Sequence, residues 1–286
     1  MDAPIALAAL SSICFGVALV TSRIGLRSLD PRSGAAISIP TATVLFVLIA
    51  PFVFEAHAFD LEAAGLFALV GVFFPAVVTL LTFRSNEQLG PTVTSAVSGT
   101  APLFALGAAA LLLDEVIPSR AAVACVLIAL GIALLSWRRG AARGFTGSAL
   151  AWPLAGALLR GVAQALAKLG LALWPNPFAA GLIGYLVSSV IVIGADRLAH
   201  KARPATNRRN VAWFVVTGVL NGAAVLLMYA ALSRAPVALV APVVAAYPLI
   251  TALVSAAVLR EERLTPQIVV GALMTVAAIV YLVGPR

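Results

Sequence analysis

Charged side chains are scarce in this sequence of 286 residues: Lys, Arg, Asp and Glu together make up 10% of it. A typical soluble domain carries about 25% charged residues. Hydrophobic residues account for 62% of the chain, and the mean hydropathy is +1.06. This composition excludes an ordinary water-soluble domain and a disordered chain. It also argues against a nucleic-acid partner, although the net charge is +8.

Cysteine and histidine are rare as well, with two of each in the chain. Cys14 and Cys125 lie in separate apolar runs, which provides neither a disulfide framework nor a metal cluster. His57 and His200 both lie in polar loops. The sequence contains no HExxH, GxSxG or P-loop motif. We therefore expect no catalytic residues, no metal, no cofactor and no enzymatic activity.

Long apolar runs dominate what is present. A helix needs about 20 apolar residues to cross the hydrocarbon core of a bilayer, and ten stretches of about this length occur. The sequence therefore predicts an all-α integral membrane protein with ten transmembrane helices and short loops. The predicted spans are 4–23, 34–54, 63–83, 92–113, 120–137, 148–170, 177–195, 211–231, 237–259 and 267–283.

Basic residues are distributed unevenly between the two sides of these predicted spans. The loops after the odd-numbered spans contain 14 Lys and Arg residues, and the opposite side contains 3. Cytoplasmic loops carry the excess of basic residues in membrane proteins. We therefore expect both termini outside, with the basic loops 138–147 and 196–210 in the cytoplasm, in an inner or plasma membrane of bacterial type.

The chain repeats itself at an offset of about 145 residues. Phe15-Gly16-Val17 corresponds to Arg160-Gly161-Val162, and Asp30-Pro31 corresponds to Asn176-Pro177. Each half contains five predicted spans, and an odd number forces the second copy to cross the membrane in the opposite direction. The sequence thus predicts two inverted-topology repeats, 1–137 and 148–286, joined by a linker at 138–147 and enclosing a central cavity. This architecture is typical of alternating-access transporters.

The end of each half carries the motifs of a known family. Residues 259–267 read LREERLTPQ, and a weaker copy, LDEVIP, occupies 113–118. With the opening Phe15-Gly16 pair, these motifs resemble the ten-helix EamA branch of the drug/metabolite transporter superfamily. The resemblance implies a pseudosymmetric bundle around a central cavity, and the export of amino acids, drugs or other metabolites. A related branch exchanges sugar phosphates.

Polar residues within the predicted spans are the candidates for substrate contact, because burying them in lipid is costly. Arg160 lies near the middle of its span, and its planar guanidinium can bind a carboxylate or phosphate through two hydrogen bonds. Gln164 and Lys168 follow on the same helical face. Pro102 and Pro248 occupy equivalent positions in the two halves and are the candidate hinges. The candidate substrate-binding residues are Arg160, Gln164, Lys168, Arg84, Asn221, Tyr229 and Tyr247.

The leading interpretation is a secondary transporter that exports amino acids, including aromatic ones, or other small solutes bearing a carboxylate. A sugar-phosphate or nucleotide-sugar exchanger and a multidrug exporter are the alternatives within transport. The missing catalytic motifs argue against an intramembrane enzyme. The polar stripe on the sixth span argues against a passive scaffold, and a lipid flippase stays open. We expect a monomer or weak homodimer whose partners are its substrate and the lipid bilayer.

Overall fold

The computed structural model describes residues 2–54, 59–137, 147–199, 208–259 and 266–283. Most of the predicted linker 138–147 and much of the basic loop 196–210 lie outside these residues. The described residues form twelve α-helices. They are α1 (Asp2–Gly25), α2 (Pro31–Val53), α3 (Leu61–Phe73), α4 (Ala76–Ser98), α5 (Ala101–Leu112), α6 (Ser119–Trp137), α7 (Gly147–Leu173), α8 (Pro177–Ala199), α9 (Arg208–Leu232), α10 (Val237–Val244), α11 (Tyr247–Val258) and α12 (Pro266–Val283).

The outer surface of this bundle is apolar. Large hydrophobic side chains such as Phe52, Leu111 and Val190 are mostly exposed, which in water would be unfavourable. Seven helical stretches are long and apolar enough to cross a membrane, counting 61–98 and 237–258 as one stretch each. Two shorter apolar helices, at 101–112 and 119–131, accompany them. The chain is therefore a multi-pass membrane protein.

Helix starts follow the turn signals in the sequence. Asp30 caps α2, because its carboxylate accepts hydrogen bonds from the backbone N–H of Arg32 and Ser33 at 3.1 and 3.3 Å. Asn176 caps α8 in the same way, accepting from the N–H of Ala179 at 2.9 Å. Each cap is followed at once by a proline, which the first turn of a helix tolerates. The same local signal thus starts the second helix of each half.

Three predicted spans, 63–83, 92–113 and 237–259, are each broken in the structure, and in two of them the second segment carries a predicted hinge proline, Pro102 or Pro248, in its first turn. The first break separates α3 from α4 at Pro75, the second separates α4 from α5, and the third separates α10 from α11. Proline has no backbone N–H to continue the helical hydrogen bonds, and Pro102 and Pro248 stand in the first turns of α5 and α11. These broken helices supply residues at the middle of the bundle.

The junction of the third and fourth predicted spans lies within the stretch labelled α4. This stretch consists of two helices that meet at a kink at Gly90, whose φ of 79° and ψ of 168° are non-helical. Glycine has no Cβ and adopts this positive φ without steric cost. The chain therefore changes direction at Gly90 within a helical stretch instead of through a loop.

Equivalent helices of the two halves pack against each other. Helix α2 contacts α8, and α6 contacts α12. The hydroxyl oxygens of Thr43 and Ser189, which are 146 residues apart, lie 2.7 Å from each other between α2 and α8. The contact joins two residues that occupy the same place in the repeated sequence.

Glycine–aromatic contacts also recur at this offset. A Cβ atom at Gly25 would lie 2.7 Å from the ring of Phe214, and one at Gly170 would lie 2.6 Å from the ring of Phe67. Both rings are buried in the core. Because any larger residue would collide with these rings, each glycine lets a phenylalanine of another helix pack on its backbone. The same packing arrangement therefore appears twice in one chain.

Candidate functional site

A cavity lies in the middle of the bundle, where α1, α4, α7, α8, α9 and α11 meet. Its volume, as the space open to the centre of a water molecule, is about 40 Å³. Its lining is mostly apolar and aromatic, with a few polar groups, which is typical of small-molecule sites. The lining residues are Phe15, Ala18, Leu19, Phe74, Pro75, Val78, Thr79, Thr82, Phe83, Ser98, Arg160, Tyr185, Asn221, Val225 and Tyr247.

Arg160 provides the positive charge of this cavity and is only 8% exposed. Its guanidinium carbon lies 5.0 Å from the ring centre of Phe15, 5.5 Å from that of Tyr247 and 5.9 Å from that of Phe74. Cation–π attraction at these distances stabilises the guanidinium and fixes its position. Asp and Glu are absent from the described lining residues. Aromatic rings therefore stabilise the positive charge of Arg160, and none of the described lining residues carries a negative charge.

Four buried polar atoms around the cavity have no hydrogen-bond partner among the described residues. They are Arg160 Nε, the hydroxyl of Tyr185, and the hydroxyls of Tyr247 and Ser98, which face each other without a hydrogen bond of normal geometry. A buried polar group without a partner costs about 1–3 kcal/mol. Buried polar groups are nearly always paired, so four unpaired ones in one cavity indicate a place for a polar ligand or for water.

Three predicted site residues, Arg160, Asn221 and Tyr247, line this cavity together. Gln164 is one helical turn from Arg160 and is buried with its Oε1 atom unpaired, but it is outside the lining. Tyr229 is buried in the hydrophobic core and is also outside the lining. The substrate-binding role of all these residues stays a prediction.

Lys168 lies at the other end of α7, away from the cavity lining. Its Nζ donates to the carbonyl oxygens of Leu232 at 2.7 Å and Ala235 at 3.1 Å, at the end of α9. A cation there donates hydrogen bonds to the carbonyl groups that have no intrahelical partner at a helix C-terminus. Lys168 therefore caps the end of α9 and is not among the residues that line the cavity.

Arg23, the residue equivalent to Lys168, makes the same type of contact in the first half. Its Nη1 donates to the carbonyl oxygens of Asn86 at 2.8 Å and Glu87 at 2.9 Å, just before the bend at Gly90. In each half, a basic residue of the first helix therefore donates hydrogen bonds to backbone carbonyls just before the chain changes direction.

Arg84 lies in a second, more open cavity on the other side of α4. Its guanidinium carbon is 4.6 Å from the ring centre of Trp152, and the space in this cavity that is open to the centre of a water molecule is about 500 Å³. The lining also contains Arg32 together with the acidic residues Asp30 and Glu87. The two cavities have no lining residue in common, so the structure separates Arg84 from Arg160.

Several residues of the central cavity were not predicted from the sequence, chiefly Phe15, Phe74, Tyr185 and Ser98. The repeat contained a signal for the first of these, since Phe15 is equivalent to Arg160 and the two side chains meet. Tyr185 is a polar residue inside an apolar span, the same kind of signal that marked Tyr247. Phe74 carries no such signal, because an apolar ring in an apolar span is indistinguishable from core packing.

The fold and cavity define a polytopic helical membrane protein with a central cavity lined by apolar, aromatic and a few polar side chains, and comparison with known proteins gives the class. The profile of the EamA-like transporter family matches residues 3–137 and again 147–284. The chain belongs to the EamA-like transporter family and is a membrane transporter of the drug/metabolite type.

The fold is similar to that of a solved crystal structure, with a TM-score of 0.78 over 98% of this chain and 96% of the other. The two sequences are 14% identical, so this likeness concerns the fold alone. No curated protein matches the sequence.

Proposed function

We propose that the protein is a secondary transporter that exports small metabolites bearing a carboxylate, amino acids above all. The observation that carries the proposal is Arg160, a buried cation in the central cavity whose lining has no acidic side chain among the described residues. A carboxylate would supply the missing negative charge. Its two oxygens match the planar donor fork of the guanidinium.

The other groups of the cavity fit an amino acid in particular. The Asn221 amide and the Tyr185 hydroxyl can accept hydrogen bonds from an ammonium group. The rings of Phe15, Phe74 and Phe83 provide apolar surface for a side chain. This combination supports amino acids with aromatic side chains as the preferred substrates.

Alternating access between two inverted repeats is the proposed mechanism. The second family match begins at 147 and the first ends at 137, close to the repeats expected from the sequence. Contacts such as Thr43–Ser189 join equivalent residues of the two halves. We place hinges at Pro102 and Pro248, because each begins a helix segment directly after a break.

The two alternative transport functions fit the cavity less well. A sugar phosphate carries two negative charges at neutral pH, yet Arg160 is the single basic side chain among the described lining residues. Lys168, which could have been the second, is bound to carbonyls at the end of α9. A cationic drug would require an acidic residue, and the described lining has none.

We further propose that the protein resides in a bacterial-type inner membrane with both termini outside, as a monomer or weak homodimer. The bias of Lys and Arg toward loops such as 196–210 supports this orientation. Export from the cell is the direction consistent with this proposal.

The proposal is tested by uptake of radiolabelled amino acids into proteoliposomes containing the Arg160→Ala variant. Loss of a charge-assisted hydrogen bond costs about 1.5–3 kcal/mol, so transport should fall at least tenfold. Arg120→Ala is the matched control, because Arg120 also lies over an aromatic ring, Tyr281 at 5.6 Å, but outside the cavity. Undiminished uptake by a folded Arg160→Ala variant would remove Arg160 from the substrate site.

A further inference from the structure

The second cavity, which contains Arg84, lies at one end of the bundle and not at its middle. Its lining comes from the start of α2, from the part of α4 before the kink at Gly90, and from Trp152 near the start of α7. Tryptophan near the end of a membrane-spanning helix is typical of the membrane–water interface, at the depth of the lipid headgroups. The cavity is therefore placed where a phospholipid headgroup can enter it.

The lining of this cavity carries charges of both signs. Arg32 and Arg84 provide positive charge, and Asp30 and Glu87 provide negative charge. The side chains of Arg32, Arg84 and Glu87 are exposed and form no ion pair with another described residue. Arg84 instead lies against the ring of Trp152. Unpaired charges of opposite sign in one cavity are complementary to a ligand that carries both charges.

A mostly apolar space adjoins this cavity and shares Arg32 and Leu80 with it. The adjoining space that is open to the centre of a water molecule is about 360 Å³. Leu198 at its edge is 92% exposed, so the space opens on the apolar outer surface of the bundle. The charged cavity thus continues into a groove that faces lipid. The remaining residues of this groove come from the end of α8 and are Val192, Ala195 and Asp196.

We propose that the charged cavity and this groove together bind one phospholipid of the phosphatidylethanolamine class. Arg32 and Arg84 donate hydrogen bonds to the phosphodiester, whose oxygens match the planar fork of a guanidinium. Glu87 accepts hydrogen bonds from the primary ammonium of the headgroup, and an acyl chain lies along Leu80 in the groove. The central cavity has no lining residue in common with this site, so the lipid site is additional to the proposed substrate site.

Charge complementarity favours this lipid over other phospholipids. Phosphatidylglycerol carries a net negative charge, which leaves Glu87 without a cationic partner and places a second anion beside it. Phosphatidylcholine is a zwitterion, but its quaternary ammonium has no N–H to donate to the carboxylate. A free headgroup has no acyl chain, and burial of each methylene of such a chain adds to the affinity.

The test measures lipid binding to the full chain in detergent by mass spectrometry of the intact protein–lipid complexes. The probes are dioleoyl phosphatidylethanolamine, phosphatidylcholine and phosphatidylglycerol, which have identical acyl chains, and glycerophosphoethanolamine, which has none. We expect phosphatidylethanolamine to bind at least about tenfold more tightly than the other two lipids, the effect of one hydrogen bond between charged groups. Glycerophosphoethanolamine should bind more than about tenfold more weakly than the complete lipid, because it buries no methylene groups.

Two variants separate the two halves of the headgroup. Glu87→Gln keeps the shape of the side chain and should remove the preference for phosphatidylethanolamine over phosphatidylcholine. Arg84→Ala should weaken the binding of phosphatidylethanolamine and phosphatidylcholine alike, by about tenfold, because both contain the phosphodiester. Arg120→Ala is the matched control, since Arg120 also lies over an aromatic ring but outside this site, and should bind lipid like the parent chain.

Arg32→Ala replaces Arg84→Ala if loss of the contact with Trp152 prevents folding, and the same weakening is expected. Equal affinity of the parent chain for the three lipids, or a preference for phosphatidylglycerol, would overturn the proposal. So would binding of glycerophosphoethanolamine as tight as that of the complete lipid, which would indicate a site for a soluble solute. An undiminished preference in Glu87→Gln would contradict it as well. Lipid binding requires no transport, so an error in the proposed function leaves this result unaffected.

Discussion

At the scale of single residues, Arg160 stands out because its surroundings stabilise the cation without neutralising it. Its guanidinium lies over the rings of Phe15, Tyr247 and Phe74. Its Nε has no hydrogen-bond partner among the described residues, so this N–H can donate to a ligand. A residue fixed in this way is ready to receive an anion with little loss of side-chain entropy.

The Tyr247 hydroxyl gives a prediction that separates binding from stability. It is buried and makes no hydrogen bond of normal geometry among the described residues, with Ser98 as its polar neighbour, so Tyr247→Phe should leave the melting temperature of the ligand-free protein unchanged or slightly higher. Substrate affinity should fall about 2- to 12-fold, the effect of one hydrogen bond worth about 0.5–1.5 kcal/mol. Thermal unfolding with and without substrate measures both quantities. A large loss of ligand-free stability would mean that the hydroxyl has a structural role.

Lys168 gives the opposite prediction, because it bonds to the carbonyls of Leu232 and Ala235. Lys168→Met keeps much of the side chain's apolar length but removes these bonds, which should destabilise the protein by about 1.5–3 kcal/mol. Substrate affinity should change little. Thermal unfolding and ligand titration of the variant, with Arg120→Met as control, check this. If affinity were lost while the melting temperature stayed constant, Lys168 would belong to the substrate site.

At the scale of helices, close contacts through glycine set the distances between neighbours. An added Cβ at Gly71 in α3 would lie 2.7 Å from the carbonyl oxygen of Gly184 in α8. The corresponding position in the other half is Gly218 in α9, which approaches the carbonyl oxygen of Ser38 in α2. The α3–α8 and α2–α9 pairs are thus built alike.

Gly71→Ala and Gly218→Ala should therefore both destabilise the protein, by about 1–3 kcal/mol each. Gly65→Ala in α3 is the control, because a Cβ there has nothing within 4 Å, and alanine favours helix over glycine by about 1 kcal/mol. The control should be neutral or stabilising. Melting temperatures of the three variants test this, and a neutral result for either of the first two would contradict the close contact.

The helices themselves were largely predictable, and Pro102 and Pro248 marked the places of two breaks, but not whether the helix would kink or end there. Apolar runs of membrane-spanning length identify helices reliably, and Asp30 and Asn176 mark the starts of α2 and α8. A proline inside an apolar run either kinks a helix or breaks it, and the sequence does not distinguish the outcomes. Pro40 remains inside α2, while Pro102 and Pro248 begin new helices.

At the scale of the whole molecule, the central cavity forms where segments distant in sequence meet, and this limited what could be predicted. Arg160, Asn221 and Tyr247 were identifiable because each is polar within an apolar span. The aromatic residues around Arg160 were not, since their apolar rings look like core residues until the helices are placed. The sequence left the role of Lys168 open, since a lysine near a span end can bind solute, lie at the interface or cap another helix.

The central claim is that Arg160 binds the carboxylate of the substrate. The most direct measurement compares binding of phenylalanine and phenylalaninamide, which differ in that carboxylate, to the parent protein and to Arg160→Ala by titration calorimetry. The account predicts that the parent binds the acid at least tenfold more tightly than the amide, and that Arg160→Ala removes this preference. Equal affinities for acid and amide in the parent, or an undiminished preference in the variant, would contradict it.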